Sequence, residues 1–82
     1  MIDYANVLLN LVKPMCQDKD NVTVKQMDSL DENEILLYVY APSDDIGRLI
    51  GRQGNMASAI REMLKVASKS QDKKITVKFE SL

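Results

Sequence analysis

The chain has 82 residues, of which 45% are apolar and 28% charged, and its formal net charge is −1. This length allows one small domain, near the lower limit for an independent core. Histidine is absent and Cys16 is the only cysteine, which excludes an intramolecular disulfide, a Cys/His metal cluster and a histidine-based catalytic group. We therefore expect Cys16 to be a small core residue, and we expect no metal and no cofactor.

Charge is distributed unevenly along the chain. Residues 1–43 carry a net charge of −4, whereas residues 44–74 carry +3. A polyanion-binding surface requires such a basic half, although a dipolar surface without a partner has the same composition. The sequence has no apolar segment long enough to span a membrane and no basic start typical of a signal peptide. We expect a cytoplasmic protein that does not contact a membrane.

Residues 3–17 have the pattern of a helix. Their polar residues recur at spacings of three and four, which leaves a wide apolar arc. Asp3 is a suitable N-cap, and Pro14 is expected to kink or end the helix. Residues 18–21 then form a polar turn.

Two strands are predicted next, over residues 22–27 and 35–41, and their short acidic connection favours an antiparallel hairpin. Pro42 ends the second strand, and Ser43 or Asp44 is expected to cap a short helix leading to Gly51. A long helix over residues 55–68, a polar basic loop over 68–74 and an alternating strand over 74–80 complete the order α-β-β-α-α-β. No linker divides the chain, so residues 1–82 are expected to form a single domain.

The long helix carries two adjacent apolar stripes. One stripe is expected to face the sheet and consists of Ala57, Ile60, Leu64 and Ala67. The second is expected to be partly exposed and to form a dimer interface; it consists of Met56, Ala59, Met63 and Val66.

Between the last two helices lies the glycine loop (residues 51–54), with the sequence Gly51-Arg52-Gln53-Gly54. Glycines lack Cβ, so a sugar–phosphate backbone can lie against the loop. The following helix begins near Asn55 and directs its first N–H groups and partial positive charge to the same place. Arg52 adds a cation, and these features together predict a phosphate-binding site.

The run from Ile46 to Gly54, with Ala59-Ile60-Arg61 after it and Val12-Lys13-Pro14 in the first helix, resembles KH domains. It is most similar to the small bacterial stand-alone KH proteins of the KhpA type. The resemblance covers essentially the whole chain and implies an α/β (α+β) fold: a single type II KH domain whose three-stranded sheet is covered on one face by helices. Many members have a second basic residue between the two glycines, whereas this chain has Gln53.

The resemblance also implies a function, namely non-catalytic binding of single-stranded RNA. It implies a homodimer, or a heterodimer with a larger KH-containing protein, and a role as an RNA chaperone in the control of cell elongation and wall growth. Ile75 and Val77 of the last strand are expected to complete an apolar base-binding groove. The RNA-contacting residues are predicted to be Ile46, Gly47, Arg48, Leu49, Ile50, Gly51, Arg52, Gln53, Gly54, Asn55, Lys73 and Lys74.

Other interpretations of the same residues stay open. Gly47 and Gly51 are also compatible with close packing inside the chain, with nothing bound. The glycine spacing matches neither the dinucleotide-binding fingerprint nor the P-loop, which argues against an enzyme. The main alternative is a protein-interaction module in which the RNA groove is weak or secondary.

Overall fold

A computed structural model describes residues 3–69 and 72–82. It contains three α-helices and three strands in the predicted order. The elements are α1 (Tyr4–Val12), β1 (Thr23–Met27), β2 (Glu34–Ala41), α2 (Ser43–Ile50), α3 (Asn55–Ser68) and β3 (Lys74–Ser81). Ser70 and Gln71 of the predicted basic loop lie outside the described residues. Among the residues described, no helix has the length and apolar character needed to cross a membrane.

Helix α1 is shorter than the predicted helix over residues 3–17. Its start agrees with the prediction, because the Asp3 side chain accepts a hydrogen bond from the Asn6 N–H at 3.1 Å. After Val12 the chain tightens into a 3₁₀ turn, Lys13–Met15, that contains Pro14. Proline has no N–H to donate and its ring clashes with the carbonyl four residues earlier, so the α-helical pattern stops there.

The three strands form one sheet in the order β1-β2-β3. Strand β1 pairs with β2 in the antiparallel direction predicted for the hairpin, with Lys25 opposite Tyr38. Strand β3 runs parallel to β2, with Val77 opposite Leu37. A parallel pair needs a long crossover, which α2 and α3 supply.

All three helices pack on one face of the sheet. Helix α1 packs against α3 and β1, while α2 packs against α3 and β3. Alternate residues of β2 point into this core and are buried: Ile35, Leu37, Val39 and Ala41. Burial of these side chains together with apolar residues of the helices supplies most of the driving force for folding. The predicted fold class, a three-stranded sheet covered on one face by helices, is confirmed.

Cys16 is a core residue, as expected. It is 2% exposed, and its thiol donates a hydrogen bond to the Val12 carbonyl at 3.4 Å. Burial, followed by the nearby negative charge of Asp45, raises the pKa of the Cys16 thiol above its ordinary value. The sulfur is therefore protonated at neutral pH and packs as a small apolar group.

Two details of the predicted helices are wrong. Ser43 and Asp44 lie inside the first turn of α2, and the residue before them, Pro42, caps without a side-chain hydrogen bond. In α3 the core-facing stripe ends differently, since Ala67 is exposed and Ser68 is buried. The Ser68 hydroxyl can be buried because it donates to the Leu64 carbonyl at 2.6 Å, which satisfies the polar group within the helix.

A buried carboxylate fixes the start of α2. Asp45 is 2% exposed and accepts hydrogen bonds from the backbone N–H groups of Gln17 at 2.9 Å and Asp18 at 3.1 Å. Arg48 adds an ion pair at 3.1 Å. The two backbone N–H groups, helped by Arg48, hold the pKa of the Asp45 carboxyl below its ordinary value against the opposing effect of burial. This carboxylate joins the turn after α1 to the helix that leads into the glycine loop.

We predict that Asp45→Asn lowers the free energy of unfolding at neutral pH, because the neutral amide cannot replace a carboxylate that accepts two backbone N–H bonds. The pKa of Asp45 in the folded state is below its value of about 3.9 in the unfolded chain. The ionised carboxylate therefore contributes fully to the free energy of unfolding above that value, and this contribution is lost as the pH falls through the folded-state pKa. The difference in the free energy of unfolding between Asp45→Asn and wild type should therefore become smaller at acidic pH. Urea unfolding at a series of pH values measures it.

Asp44→Asn is the matched control for this prediction. Asp44 is an exposed carboxylate in the same helical turn, so its removal changes the interaction with the helix dipole without breaking the buried contacts. An equal loss of stability in both variants at neutral pH would contradict the role assigned to Asp45.

Candidate nucleic-acid interface

The glycine loop has a backbone that is unusual for L-amino acids. Gly51, Gln53 and Gly54 have φ values of 72°, 57° and 78°, and residues 52–54 form one 3₁₀ turn. The left-handed region is accessible to glycine without penalty and is unfavourable for residues with a Cβ. Two of the three positive-φ positions are glycines, so the sequence meets the requirement of the turn at those places.

Gly51 is also required by packing. A Cβ placed on it would lie 2.6 Å from the Cβ of Met56 and 3.0 Å from the Met56 backbone nitrogen. The end of α2 therefore lies directly against the first turn of α3. Gly51 therefore packs closely inside the chain, which explains how two helices can be joined by so short a turn.

Gly47 and Gly54 are different, because a Cβ on either residue would have no atom within 4 Å. Gly54 has a positive φ, which gives a conformational reason for glycine. Gly47 lies in the interior of α2 and is exposed, so neither packing nor backbone conformation requires glycine there. The close-packing interpretation of Gly47 is therefore wrong within this chain.

The basic residues predicted to contact RNA are in different electrostatic situations. Arg48 is paired with Asp45, and Lys74 lies 3.9 Å from Glu34. Arg52 is exposed and has no ion pair with another described residue. Arg52 is thus the loop cation whose charge is available to a ligand. The charge of Arg48 is partly compensated by Asp45.

The N-terminus of α3 faces the same turn. Its N-cap is Gly54, and no side chain provides a capping hydrogen bond. The Asn55 N–H donates to the Arg52 carbonyl. An uncapped helix start with N–H groups and partial positive charge is a favourable environment for an anion.

The apolar residues predicted to line a groove are split between core and surface. Leu49 is completely buried, Ile46 is 8% exposed and Ile50 is 37% exposed. Only Ile50 therefore presents a substantial side-chain surface beside the loop. On β3, Ile75 is buried and Val77 is half-buried, so the available apolar groove is narrower than the sequence pattern indicates. Lys73 is half-buried and Lys74 is exposed at the start of the same strand.

Comparison with known proteins identifies the family of this chain. Residues 5–79 match the family model described as the KH domain of KhpA/KhpB. The chain belongs to the KhpA/KhpB KH-domain family. Relatives in this family named RNA-binding protein KhpA occur in several bacteria. The protein of Clostridium perfringens is 32% identical over 84% of this chain and 89% of its own length. That of Lactiplantibacillus plantarum is 34% identical over 98% and 92%, and that of Streptococcus pneumoniae is 36% identical over 78% of each.

Sequence reasoning missed the role of Asp45 in this KhpA/KhpB-type domain. Two consecutive acidic residues shortly after Pro42 are typical of the first turn of a helix, so the pattern gives no reason to expect a distant partner for either of them. The signal that distinguishes them is their position on the helix. Asp45 directly precedes Ile46 on the inner side of α2, whereas Asp44 is exposed.

The three glycines are predicted to respond differently to alanine. Gly54→Ala should lower the free energy of unfolding by about 1–2 kcal/mol because of its positive φ alone. Gly51→Ala should lower it by about 3 kcal/mol, since overpacking against Met56 adds to the same penalty. Gly47→Ala should raise it by about 0.5–1 kcal/mol, because alanine is the better residue in a helix interior. Chemical denaturation measures all three free energies. If Gly47→Ala were destabilising, the conclusion that a Cβ at position 47 meets no other atom would be wrong.

Proposed function

We propose that this protein binds single-stranded RNA without catalysis and that the glycine loop holds the phosphate backbone. The observation that carries the proposal is the coincidence of three features at one turn. They are the open space beside the Gly54 backbone, an uncapped start of α3, and the exposed cation Arg52, which has no ion pair among the described residues. The family membership and the printed name of the relatives, RNA-binding protein KhpA, support it.

The physical argument favours contact with phosphates over recognition of bases. Backbone N–H groups and an arginine position a nucleic-acid strand without reading its sequence. The free space over Gly47, one helical turn before Gly51, lets the strand approach the α2 backbone as well. Ile50 is the apolar side chain with exposed surface next to this path. The side chain of Leu49 is buried and is not part of the proposed interface.

The affinity of one domain for a short strand should be modest. The loop offers one free arginine, with the uncharged Gln53 beside it, and no aromatic residue occurs between Pro42 and Ser68. Few charge contacts and little stacking correspond to dissociation constants on the order of micromolar at physiological salt.

We predict that Arg52→Asp/Gln53→Asp weakens binding of a short single-stranded RNA by about tenfold or more, because it places two negative charges against the phosphates. Fold and oligomeric state should not change, as both side chains are exposed. Fluorescence anisotropy with a labelled oligonucleotide measures the affinity. The salt dependence should also become less steep, since fewer counterions are released.

Asn10→Asp/Lys13→Asp is the charge-matched control, since it makes the same change in net charge on exposed residues at the α1 side. It should keep most of the affinity. Equal binding by the loop variant and wild type, or an equal loss in the control, would argue against the loop as the phosphate site.

A second candidate function, self-association, is favoured by the surface of α3. The α3 stripe (Met56, Ala59, Met63 and Val66) is exposed along its length; Met63 is 41% and Val66 66% exposed. Beside it, an open apolar groove of 380 Å³ is lined by Leu11, Glu62, Met63, Val66 and Ala67. A stripe continuous with an apolar groove fits a helix of similar character. We propose that the α3 stripe of a second copy occupies it.

Dimerisation would also strengthen RNA binding, because two linked loops raise the effective concentration of the second contact. The resemblance to the family extends the proposal to pairing with a larger KH-containing protein in the control of cell elongation and wall growth. In that arrangement the same α3 surface would receive either partner.

We predict that Met63→Asp converts the dimer to a monomer, because a charge in the middle of an apolar interface is left desolvated and unpaired. Sedimentation velocity over a dilution series measures the change. Arg61→Asp, a polar exposed position on the same helix, is the control and should leave the dimer intact. If Met63→Asp sediments as wild type does, the α3 stripe is not the interface.

A further inference from the structure

The sheet has a second face that the RNA site described above does not use. Core residues of the strands point toward the helices, and the alternate residues point to the opposite side. This open sheet face carries, in register across the three strands, the side chains of Lys25, Glu34, Tyr38, Tyr40, Lys78 and Glu80.

The centre of the open sheet face is aromatic. Tyr38 and Tyr40 are successive outward residues of the central strand, and their rings are nearly parallel, with centroids 6.2 Å apart and planes at 23°. Both residues are only half-buried. Two of the three tyrosines of the chain thus lie together on one surface, although they contribute nothing to the core on the other side.

Lysines flank this aromatic pair. Tyr38 lies between Lys25 of β1 and Lys78 of β3 in the same cross-strand row. The Lys25 ammonium lies 6.0 Å from the centroid of the Tyr40 ring. Both lysines are exposed, so the row presents a ring with a cation on either side.

The acidic residues of the face lie at its two ends. Glu34 accepts hydrogen bonds from Ser29 and, at 2.7 Å, from Thr76, and it lies 3.9 Å from the Lys74 ammonium. These neighbours therefore compensate the negative charge of Glu34. Glu80 lies opposite Tyr40 on β3 and lowers the positive potential at that end. The Lys25–Tyr38–Lys78 row between them contains no acid.

We infer that the open sheet face is a second contact surface for single-stranded RNA, with bases stacking on Tyr38 and Tyr40 and phosphates meeting Lys25 and Lys78. This inference rests on the proposed RNA-binding function. Every base has a π-face, so aromatic rings bind bases with little sequence preference, and flanking lysines neutralise the backbone. RRM domains bind RNA in this way on the aromatic face of a sheet.

The dimensions of the molecule let one strand reach both surfaces. The described residues extend 32 × 22 × 21 Å, and even at the stacked spacing of about 3.4 Å per nucleotide, sixteen nucleotides extend for about 54 Å. A strand held at the glycine loop can therefore pass the edge of β3 and continue over the open sheet face. A strand of about four nucleotides, the length that a KH loop clamps, fills the loop alone.

The chain contains no tryptophan, which gives a direct optical test. In a Tyr4→Phe background Tyr38 and Tyr40 are the only tyrosines, and excitation at a wavelength that phenylalanine does not absorb makes them the only emitting residues. Titration with uridine oligonucleotides of about sixteen nucleotides should quench this emission after inner-filter correction, because stacked bases quench tyrosine, whereas oligonucleotides of about four nucleotides should bind without quenching it.

Two variants test the affinity. Tyr38→Ala/Tyr40→Ala should weaken binding of the longer oligonucleotide by about thirtyfold or more, corresponding to the loss of two stacked bases. Lys25→Gln/Lys78→Gln keeps both rings and should lower the affinity for the longer oligonucleotide and the salt dependence of that affinity. Lys13→Gln/Lys65→Gln is the control on the helical side and should change neither quantity. Binding of the short oligonucleotide should be unchanged in all of them.

The outcomes separate this inference from the function on which it rests. One outcome disproves the second surface and leaves the loop proposal intact. In that outcome the short oligonucleotide binds, the sheet variants bind the long oligonucleotide as tightly as wild type does, and tyrosine emission does not change. If wild type binds neither oligonucleotide, both fail. If Tyr38→Ala/Tyr40→Ala changes the sedimentation coefficient of the free protein, the face is an interface between copies and the inference is overturned.

Discussion

The backbone of Gly51 lies so close to Met56 that no side chain fits between them, and the arrangement of α2, the glycine loop and α3 depends on this contact. A Cβ at position 51 would approach the Met56 Cβ to 2.6 Å. The contact fixes where α3 begins, and thereby where its N-terminal N–H groups point. It also allows the chain to reverse within a single 3₁₀ turn. The loop is therefore preorganised by packing, and a ligand does not have to order it.

Electrostatics assigns different roles to cations that look equivalent in the sequence. Arg48 and Arg52 lie one turn apart, but Asp45 compensates the first and leaves the second available. The same carboxylate accepts hydrogen bonds from two backbone N–H groups, 27 and 28 residues earlier in the chain. Burying a carboxylate is unfavourable unless its oxygens are hydrogen-bonded. Here they are, and α2 is held in the orientation that the loop requires.

A small domain has a high ratio of surface to volume, and this chain leaves three distinct surfaces outside its core. The glycine loop is basic and backbone-rich, the α3 stripe is apolar, and the open sheet face is aromatic with flanking lysines. The open sheet face lies on the strands and is separate from the other two surfaces, whereas the glycine loop and the α3 stripe meet at Met56, which packs against Gly51.

Local patterns in the sequence predicted the element order, the interruption of the first helix by Pro14, the antiparallel hairpin, the glycine loop and the exposed α3 stripe. Each of these depends on residues within a few positions of one another, such as a proline that removes a hydrogen bond or a period of two along β2. Family resemblance added the type of fold, which the arrangement of strands and helices confirms.

Only the tertiary structure decided which neighbours along the chain are core and which are surface. Leu49 is buried and Ile50 is partly exposed, and at the end of α3 Ser68 is buried while Ala67 is not. Helix periodicity allows both choices, because the position of the sheet and of α1 determines which part of an apolar arc is covered. How the segments pack likewise decides that Asp45 accepts hydrogen bonds from the backbone N–H groups of Gln17 and Asp18. It also brings Lys25, Tyr38 and Lys78 into one row. Distances between residues far apart in the chain are set by the fold as a whole, and no local pattern encodes them.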